Sequence, residues 1–491
     1  MSDNNNIKIL YKAGLNLQTA LHVGCAQKSP VGSFEMMQNG AGEYIIPGTS
    51  IAGVFFDTLR DLLKLEGKKE EISFLFARCI SDNNTIYLVP KKDKKLLTSL
   101  YPQPTEEKIE LKAKAEEFLV VLENLYHNDE GKVHEKYKNI FRNIKKYRKN
   151  FGSPLVFRSI NLSESIENIN DKIKIRNRTK INRKTKTAEE GELFSYWEIE
   201  PEGVSLDIHI EIDNLSVKNK DKDIETLQNW VKMVFASWQK EGVFFGAHNT
   251  SGNGYCKLQQ AEEWIIDSEE LFEKYIKSKN PYAETFRMVE FTKPSEWSNP
   301  KPRFKTWEIT VDMNDEDEGY GTNALLIKGG VTHSSLAGNP SDGVFINTGE
   351  RLFIPGSSLK GTFSMFLEKY GKSEWLKDFF GQEGSKNQGY IYFPDLIFST
   401  DMNDKKKHLI NIERHAEDEF TRAVFGSGKF NEERLFYAKA EGKIRVPKKI
   451  YDNNKTTIDE MFKFLVQGCE HRLISLGANG CYPKITIKEG E

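Results

Sequence analysis

The alternation of apolar and polar residues follows the same course twice along this chain. Residues 7–23 and 306–327 alternate at every second position, which is typical of β-strands. Each stretch is followed by an Ile-Pro-Gly tripeptide and then by apolar residues at helical spacing, within residues 43–63 and 350–370. Residues 204–212 alternate again and predict a further strand. Strands interleaved with a few helices indicate an α+β protein.

The segments around the two Ile-Pro-Gly tripeptides match one another closely. Residues 43–63 read EYIIPGTSIAGVFFDTLRDLL, and residues 350–370 read ERLFIPGSSLKGTFSMFLEKY. Further along the chain, the Gly-rich stretch Gly246–Tyr255 is matched by Gly477–Tyr482 near the C-terminus. Because these features recur in the same order, we predict a duplicated domain.

The duplication defines the predicted domain boundaries. We predict a first domain in residues 1–281, a linker with several prolines in residues 282–305, and a second domain in residues 306–491. Residues 91–150 are rich in Lys, Glu and Asn and have no counterpart in the second half, so we predict a helical insertion in the first domain. Each domain is expected to form a ferredoxin-like (RRM-like) sheet backed by helices.

Each Ile-Pro-Gly tripeptide predicts a turn from a strand into a helix. Gly48 and Gly356 allow the backbone to approach a phosphate closely, and the N-terminus of the following helix favours an anion. Four hydroxyl residues are predicted to cap these helices or to donate to phosphate oxygens: Thr49, Ser50, Ser357 and Ser358. Lys360 adds a positive charge in the second copy. A helix cap without any ligand explains each junction equally well, so both interpretations remain open.

Charge is distributed unevenly, although the formal net charge of the 491 residues is only −2. Residues 172–186, KIKIRNRTKINRKTK, contain eight Lys or Arg and no acidic residue. Strict alternation on a strand would place five of them on one face: Lys172, Lys174, Arg176, Arg178 and Lys180. Such a face, continued by Arg183 and Lys184, would bind a phosphodiester chain without reading its sequence. A solvated loop is the alternative, and the second half offers a weaker counterpart in Arg414 and Arg422.

Cysteine spacing and hydropathy favour a cytoplasmic protein without a membrane segment. The five cysteines include no Cys-x-x-Cys pair, which argues against a zinc ribbon or a disulfide framework and fits a reducing compartment. No apolar run approaches the roughly 20 residues that a membrane-spanning helix needs. The first residues have neither the basic nor the apolar region of a signal peptide.

The loop IPGSSLKGTF at residues 354–363 resembles the signature of the RAMP superfamily of CRISPR-associated proteins, and the two Gly-rich stretches resemble its C-terminal motif. More narrowly, the chain resembles the Cas-seven group, which forms the crRNA-binding backbone of type III effector complexes. Two copies on one chain resemble the fused subunits of type III-D effectors. The resemblance implies tandem RAMP domains that bind a guide crRNA and a target RNA. It also implies backbone, large and small subunits of the effector as partners.

The same resemblance implies one catalytic position. In cleaving members of the group, an Asp stands three residues before an apolar pair and a polar residue. Phe345-Ile346-Asn347 fits this pattern and places Asp342 at the acid position, whereas the first half has Ser33 before Met36-Met37-Gln38. The implied reaction is cleavage of target RNA with a divalent cation, expected to be Mg²⁺, by attack of a ribose 2′-hydroxyl on the adjacent phosphate. We therefore predict one cleaving half and one silent half.

Three alternatives remain at this point. Asp342 precedes a glycine and is compatible with plain turn chemistry. The chain would then be a structural guide-RNA-binding subunit without a cleaving site. Glu35, two residues beyond Ser33, would share its strand face and offers another acid in the first half. A CRISPR RNA-processing endonuclease is the third reading, although no histidine recurs in the two halves at a position suited to that chemistry.

Overall fold

The protein is described here by a computed structural model. The structure describes residues 8–28, 32–67, 77–82, 85–90, 155–182, 185, 188–213, 220–278, 299–313, 324–328, 343–348, 351–381, 389–398, 408–417, 420–421, 423–478 and 480–490. The helical insertion predicted for residues 91–150 lies outside these residues. The same holds for four of the predicted site residues: Arg183, Lys184, Asp342 and Arg422.

The first half of the chain mixes strands and helices in the order expected from its periodicity. Its strands are β1 (Lys8–Leu17), β2 (Gly24–Lys28), β3 (Phe34–Met36), β4 (Ile45–Ile46), β5 (Ala77–Asp82), β6 (Thr85–Pro90), β7 (Leu155–Phe157), β8 (Ile160–Asn161), β9 (Ile173–Ile181), β10 (Ala188–Ile199), β11 (Ser205–Asp213), β12 (Val243–Phe244) and β13 (Tyr255–Ile266). Its helices are α1 (Gly48–Leu65), α2 (Leu162–Ser165), α3 (Ile169–Lys172), α4 (Lys220–Glu241) and α5 (Glu269–Lys277), with a 3₁₀ turn at Asn249–Ser251.

The second half contains fewer elements in a similar order. Its strands are β14 (Phe304–Asp312), β15 (Phe353–Ile354), β16 (Leu396–Phe398), β17 (Leu409–Glu417), β18 (Val424–Leu435), β19 (Lys439–Pro447) and β20 (Lys484–Glu489). Its helices are α6 (Gly356–Lys369), α7 (Ser373–Trp375), α8 (Lys448–Asn453) and α9 (Lys455–Glu470), and a π-helical turn spans Leu376–Phe380. No helix in the described ranges is long and apolar enough to cross a membrane.

The main sheets of the two halves share one strand order. Four strands follow the order β13-β1-β11-β7 in the first sheet and β20-β14-β19-β16 in the second. A fifth strand extends each sheet, β12 beside β13 in the first and β15 beside β16 in the second. All of these neighbouring strands pair antiparallel. Helices α1 and α4 pack together in the first half, and α6 packs on α9 in the second. This is the α+β class that the sequence predicted, and its main sheets are antiparallel.

Two large hydrophobic clusters lie between these sheets and their helices. One takes its residues from between Ile9 and Ala261, and the other from between Trp307 and Ile487. Ile51, Phe55 and Leu59 recur on one side of α1 and are fully buried, as their helical spacing predicts. A smaller cluster joins β1 and β13 to α5 on the opposite face of the first sheet.

The helices that follow Ile-Pro-Gly are not capped by the predicted hydroxyl residues. The N-cap residues are Pro47 and Pro355, and neither helix has a cap bond from the hydroxyls at 49, 50, 357 or 358. Proline fixes φ near the observed −59° and −60°, so each helix starts at the glycine itself. The glycine N–H groups instead donate to side chains from distant segments, Ser159 and Asp395. The capping prediction was therefore wrong.

The end of the predicted linker is anchored in the first half. Arg303 is 9% exposed, and its guanidinium donates to Ser237 Oγ at 2.9 Å, Thr58 Oγ1 at 3.2 Å and the carbonyl of Gly242 at 3.1 Å. Its backbone N–H donates to the Glu241 carboxylate at 3.0 Å. Strand β14 starts directly afterwards, two residues before the predicted start of the second domain.

Replacing Gly48 by alanine tests the close packing at the first Ile-Pro-Gly turn. A Cβ atom there would lie 2.2 Å from the carbonyl oxygen of Phe157, a backbone atom that has little freedom to move. We expect Gly48→Ala to lower the free energy of unfolding by about 1–3 kcal/mol in chemical denaturation. Gly53→Ala, in the same helix with open space around the new methyl group, should instead be neutral or stabilise by up to about 1 kcal/mol. Equal effects of the two substitutions would contradict this account.

Candidate functional site

Each half carries a β-hairpin, formed by β9 and β10 in the first half and by β17 and β18 in the second. The bases of the two hairpins are held by equivalent contacts. Leu21 and Ile199 exchange backbone hydrogen bonds of 3.0 and 2.9 Å, and Leu325 and Leu435 exchange bonds of 2.7 and 2.8 Å. These contacts place the hairpins in register, so positions in the two halves can be compared residue by residue.

The register of the two hairpins makes Ser33 of the first half equivalent to Asp342, the predicted acid of the second half. Phe34 forms a parallel bridge with Tyr196, and Gly343 forms a parallel bridge with Glu432, at the corresponding point of its hairpin. Ser33 and Asp342 directly precede these bridges and are therefore equivalent in sequence position. Ser33 is 1% exposed, and its hydroxyl accepts a 2.8 Å hydrogen bond from the indole N–H of Trp197. The first-half position is thus buried and occupied by a neutral side chain.

The basic run does not form one continuous exposed face. Lys172 ends helix α3 and donates to the carbonyl of Glu202 at 2.9 Å, so it lies outside the strand. Lys174 is exposed, and Lys180 pairs with Glu189 at 3.0 Å. The prediction of five charges on one strand face is wrong for Lys172, because the chain enters β9 only at Ile173.

The two arginines of β9 point into the protein. Arg176 donates from Nε to Glu198 Oε1 at 2.6 Å, and its side chain is only 13% exposed. Arg178 donates to Asn253 Oδ1 at 2.8 Å and lies over the Tyr196 ring, 5.1 Å from its centre. Alternation therefore predicted which residues share a face, but only Lys174 and Lys180 at its two ends are exposed, whereas Arg176 and Arg178 between them contact other parts of the protein.

Asn253 connects this hairpin with the Gly-rich loop of the first half. It is 2% exposed and donates to Glu198 Oε2 at 3.1 Å while it accepts from Arg178. A buried carboxylate with a buried arginine partner is stable only when its remaining lone pairs are also bonded. The network therefore fixes the position of the loop that carries Asn253.

The Gly-rich loop of the first half rests against the Ile-Pro-Gly junction of the second. A Cβ atom on Gly356 would lie 2.9 Å from the Ser251 backbone and 2.3 Å from the carbonyl oxygen of Phe393. A Cβ atom on Gly252 would lie 2.1 Å from Asp395 Oδ1, and φ of 103° at Gly252 favours glycine on its own. Glycine is therefore required on both sides of this contact.

The N-terminus of α6 already holds an anionic group from the same chain. Gly356 donates its backbone N–H to Asp395 Oδ1 at 2.7 Å. Burial raises the pKa of Asp395 to about 6, although the Gly356 N–H and the nearby Arg176 and Arg178 oppose the shift. At the first junction, the equivalent Gly48 N–H donates to the neutral hydroxyl of Ser159. Thr49, the next residue, is exposed. The two junctions thus differ in charge.

Cations from both halves meet beside the loop. Lys360, in the first turns of α6, donates to Thr250 Oγ1 at 3.3 Å. Burial and the nearby Arg178 lower the pKa of Lys360 to about 8. Ser357 and Ser358 lie in the same turn and are half-buried. The junction thus brings together basic groups that lie far apart in sequence and that a phosphate would neutralise.

An aromatic group at the hairpin was not singled out in the sequence. His248 lies 4.7 Å from Tyr196 and 6.4 Å from Phe194 between ring centres, and Phe194 is 40% exposed. Burial lowers the pKa of His248 to about 4, so its ring is neutral at pH 7. His22 is 4% exposed with Nδ1 at 2.5 Å from the Trp197 carbonyl oxygen, as expected of a structural histidine. In the sequence, the alternating aromatic residues of the Leu-Phe-Ser-Tyr segment at 193–196 could have identified this aromatic group.

Comparison with known families bears on this arrangement. The RAMP superfamily model matches residues 15–257. The matched segment contains the first Ile-Pro-Gly junction, the β9–β10 hairpin and the whole Gly-rich stretch Gly246–Tyr255. The match covers just under half of the chain, so residues 15–257 are similar to the RAMP superfamily. No curated protein matches the chain.

At the hairpin of the second half, which lies beyond the RAMP match, two arginines among the described residues approach the same carboxylate. Arg414 stands at the position of Arg178, opposite residue 430 as Arg178 is opposite residue 194. Its Nε lies 3.7 Å from Glu432 Oε2, and its side chain is 38% exposed. Arg434 is buried and paired with the same carboxylate. A single carboxylate therefore balances two arginines there.

No group of three His, Cys, Asp or Glu side chains suited to a metal ion occurs within the described ranges. Glu432 and Glu433, next to the Gly343 bridge, are buried, and Glu432 is paired with Arg434. The predicted metal ligand Asp342 lies outside these ranges, so the divalent cation stays a prediction.

Replacing Asp395 by asparagine tests the carboxylate at the α6 N-terminus. The folded pKa of about 6 exceeds the ordinary value of 3.8, so the folded protein retains this proton between about pH 4 and 6 while the unfolded chain releases it. The wild type should therefore lose stability relative to Asp395→Asn as pH rises through this window. The slope is at most about 1.4 kcal/mol per pH unit.

Chemical denaturation of both proteins from pH 4 to 7 provides the measurement. Asparagine keeps an oxygen that can accept from the Gly356 N–H, so both proteins should fold. Parallel stability curves for the two proteins would contradict the raised pKa.

Proposed function

We propose that this chain is a crRNA-binding backbone subunit of a type III CRISPR effector complex, with two tandem ferredoxin-like RAMP domains. The proposed domains are residues 1–281 and 306–491, joined by the linker 282–305. The proposed location is the cytoplasm. The proposed partners are guide crRNA, target RNA and the backbone, large and small subunits of the effector.

Matching backbone contacts in the two Gly-rich loops carry this proposal. In the first half, Ala247 donates its N–H to the His22 carbonyl at 2.9 Å, and a Cβ on Gly246 would lie 2.2 Å from that oxygen. In the second half, Ala478 donates to the Leu326 carbonyl at 2.8 Å, and a Cβ on Gly477 would lie 2.3 Å from it. Equivalent contacts outside the RAMP-matched segment support a second copy of the same domain.

Guide binding is proposed along the hairpins and the junction between the halves. Lys174 is exposed on β9, and Arg178 and Lys360 approach one another from different halves. Phosphate groups would neutralise these cations and carry no sequence information, which suits a protein whose sequence choice is made by base pairing of the guide. In this proposal the Gly48 and Gly356 turns shape the groove, and Asp395 rather than RNA occupies the second helix N-terminus.

Cleavage of target RNA is proposed at Asp342. The carboxylate would accept the proton of the ribose 2′-hydroxyl as that oxygen forms a bond to the adjacent phosphorus. The bond from phosphorus to the 5′-oxygen then breaks, and that oxygen takes a proton from solvent. The products are a 2′,3′-cyclic phosphate and a 5′-hydroxyl end. A divalent cation, Mg²⁺ in this proposal, would neutralise negative charge on the phosphate. The buried hydroxyl of Ser33 cannot act as a base at neutral pH.

Cleavage of target RNA by the assembled complex tests this proposal with Asp342→Ala. We expect one cut to be lost, with its rate reduced about 10²-fold or more, because the group that removes the 2′-hydroxyl proton is missing. Binding of guide and target should be unchanged, since the substitution removes no positive charge. Gel analysis of end-labelled target resolves each cut separately.

Ser33→Ala is the matched control because it alters the equivalent position of the first half. All cuts should persist in that variant. If every cut also persists in Asp342→Ala while RNA binding is retained, the chain is a structural guide-binding subunit without a cleaving site.

A further inference from the structure

A cavity of about 200 Å³ lies between the two halves, remote in sequence from both hairpins and both Gly-rich loops. The C-terminal part of α1 forms one wall, the start of α8 forms another, and the buried Arg303 lies between them. Six charged residues line it: Asp61, Lys64, Arg303, Lys448, Lys449 and Asp452. The cavity therefore has polar walls from both halves and ample room for an oxyanion.

The charges around this cavity do not balance. Lys448 pairs with Asp452 at 3.1 Å, and Arg303 is held by Glu241, whose Oε2 lies 3.6 Å from its Nε. Asp61 lies 3.9 Å from the Nε of Arg60 outside the cavity. Lys64 and Lys449 have no acidic partner within 4.0 Å among the residues that the structure describes. The Asp61 carboxylate is near Lys64 but is shared with Arg60 and Arg303, so positive charge exceeds negative charge here.

These two lysines face one another. Burial lowers the pKa of Lys64, the adjacent Lys449 and Arg60 lower it further, and the nearby Asp61 opposes the shift. Lys64 is half-buried, whereas Lys449 reaches the cavity from the exposed side. Repulsion between two ammonium groups in partly buried surroundings is relieved when an anion lies between them.

We infer that this cavity binds a phosphate group through Lys64 and Lys449. Inorganic phosphate carries between one and two negative charges near neutral pH and an RNA phosphodiester carries one, so either would offset positive charge on these two ammonium groups. The anion would connect α1 of the first half with α8 of the second, because each lysine belongs to one of these helices. The phosphate comes either from free phosphate in solution or from an RNA backbone. The inference does not depend on the proposed function.

Thermal unfolding of the full chain in inorganic phosphate tests the inference, with sodium chloride at matched ionic strength as the reference. We expect phosphate to raise the Tm of the wild type, since a ligand that binds only the folded state stabilises it. In the double variant Lys64→Gln, Lys449→Gln, the apparent Kd for phosphate should weaken at least 10-fold. The control variant Lys274→Gln, Lys277→Gln removes two exposed lysines of α5 and should keep the full response.

The Tm without phosphate separates ligand binding from a structural role. Removal of the facing ammonium groups should leave the Tm of the double variant unchanged or raise it. A wild type without any phosphate response, or a double variant with an undiminished response, would overturn the inference.

A second arm distinguishes the two sources of phosphate. We would measure binding of a single-stranded RNA without terminal phosphates to the wild type and to the double variant. A loss of at least 10-fold in RNA affinity in the variant assigns the site to an RNA backbone phosphate. Unchanged RNA affinity, with the phosphate response lost, assigns it to free phosphate.

Discussion

The relation between the two halves depends on the contact between the first Gly-rich loop and the N-terminus of α6. A helix start leaves backbone N–H groups without partners, and here the Gly356 N–H finds the Asp395 carboxylate at 2.7 Å. Burial of that carboxylate is unfavourable, as its pKa of about 6 shows. Gly252 and Gly356 both lack the Cβ atom that would collide at this interface. Because the contact is so close, few other orientations of the two halves can satisfy it.

The contact between the halves explains why several of the basic residues bind other parts of the protein and do not form one exposed charged strand. The Gly-rich loop carries Asn253, which holds Arg178 through a 2.8 Å hydrogen bond and Glu198 through a 3.1 Å bond. Lys360 reaches the same loop from the second half at Thr250. Among the described residues, Arg178 and Lys360 therefore bring positive charge from both halves to this junction. A bound strand of RNA would follow this junction and pass from one half to the other.

The sequence predicted helix α1 and its buried face, but it did not predict the partners that side chains find in distant segments. Apolar spacing identified α1 and its buried residues Ile51 and Phe55, because a core-facing helix must repeat apolar residues at this period. It could not identify the helix caps, since Asp395 lies 39 residues beyond Gly356 along the chain. Alternation in β9 likewise grouped the arginines on one face, but it could not show that Glu198 and the distant Asn253 bind Arg176 and Arg178 while Lys174 stays exposed.

Cross-linking of copurified RNA to the intact complex tests most directly whether both halves hold one guide strand. Ultraviolet cross-linking followed by mass spectrometry identifies the peptides that contact the RNA. The account predicts cross-links from the β9–β10 hairpin and from the β17–β18 hairpin to the same RNA, at positions separated by a constant number of nucleotides. Cross-links confined to one half, or a complex that contains no RNA, would contradict it.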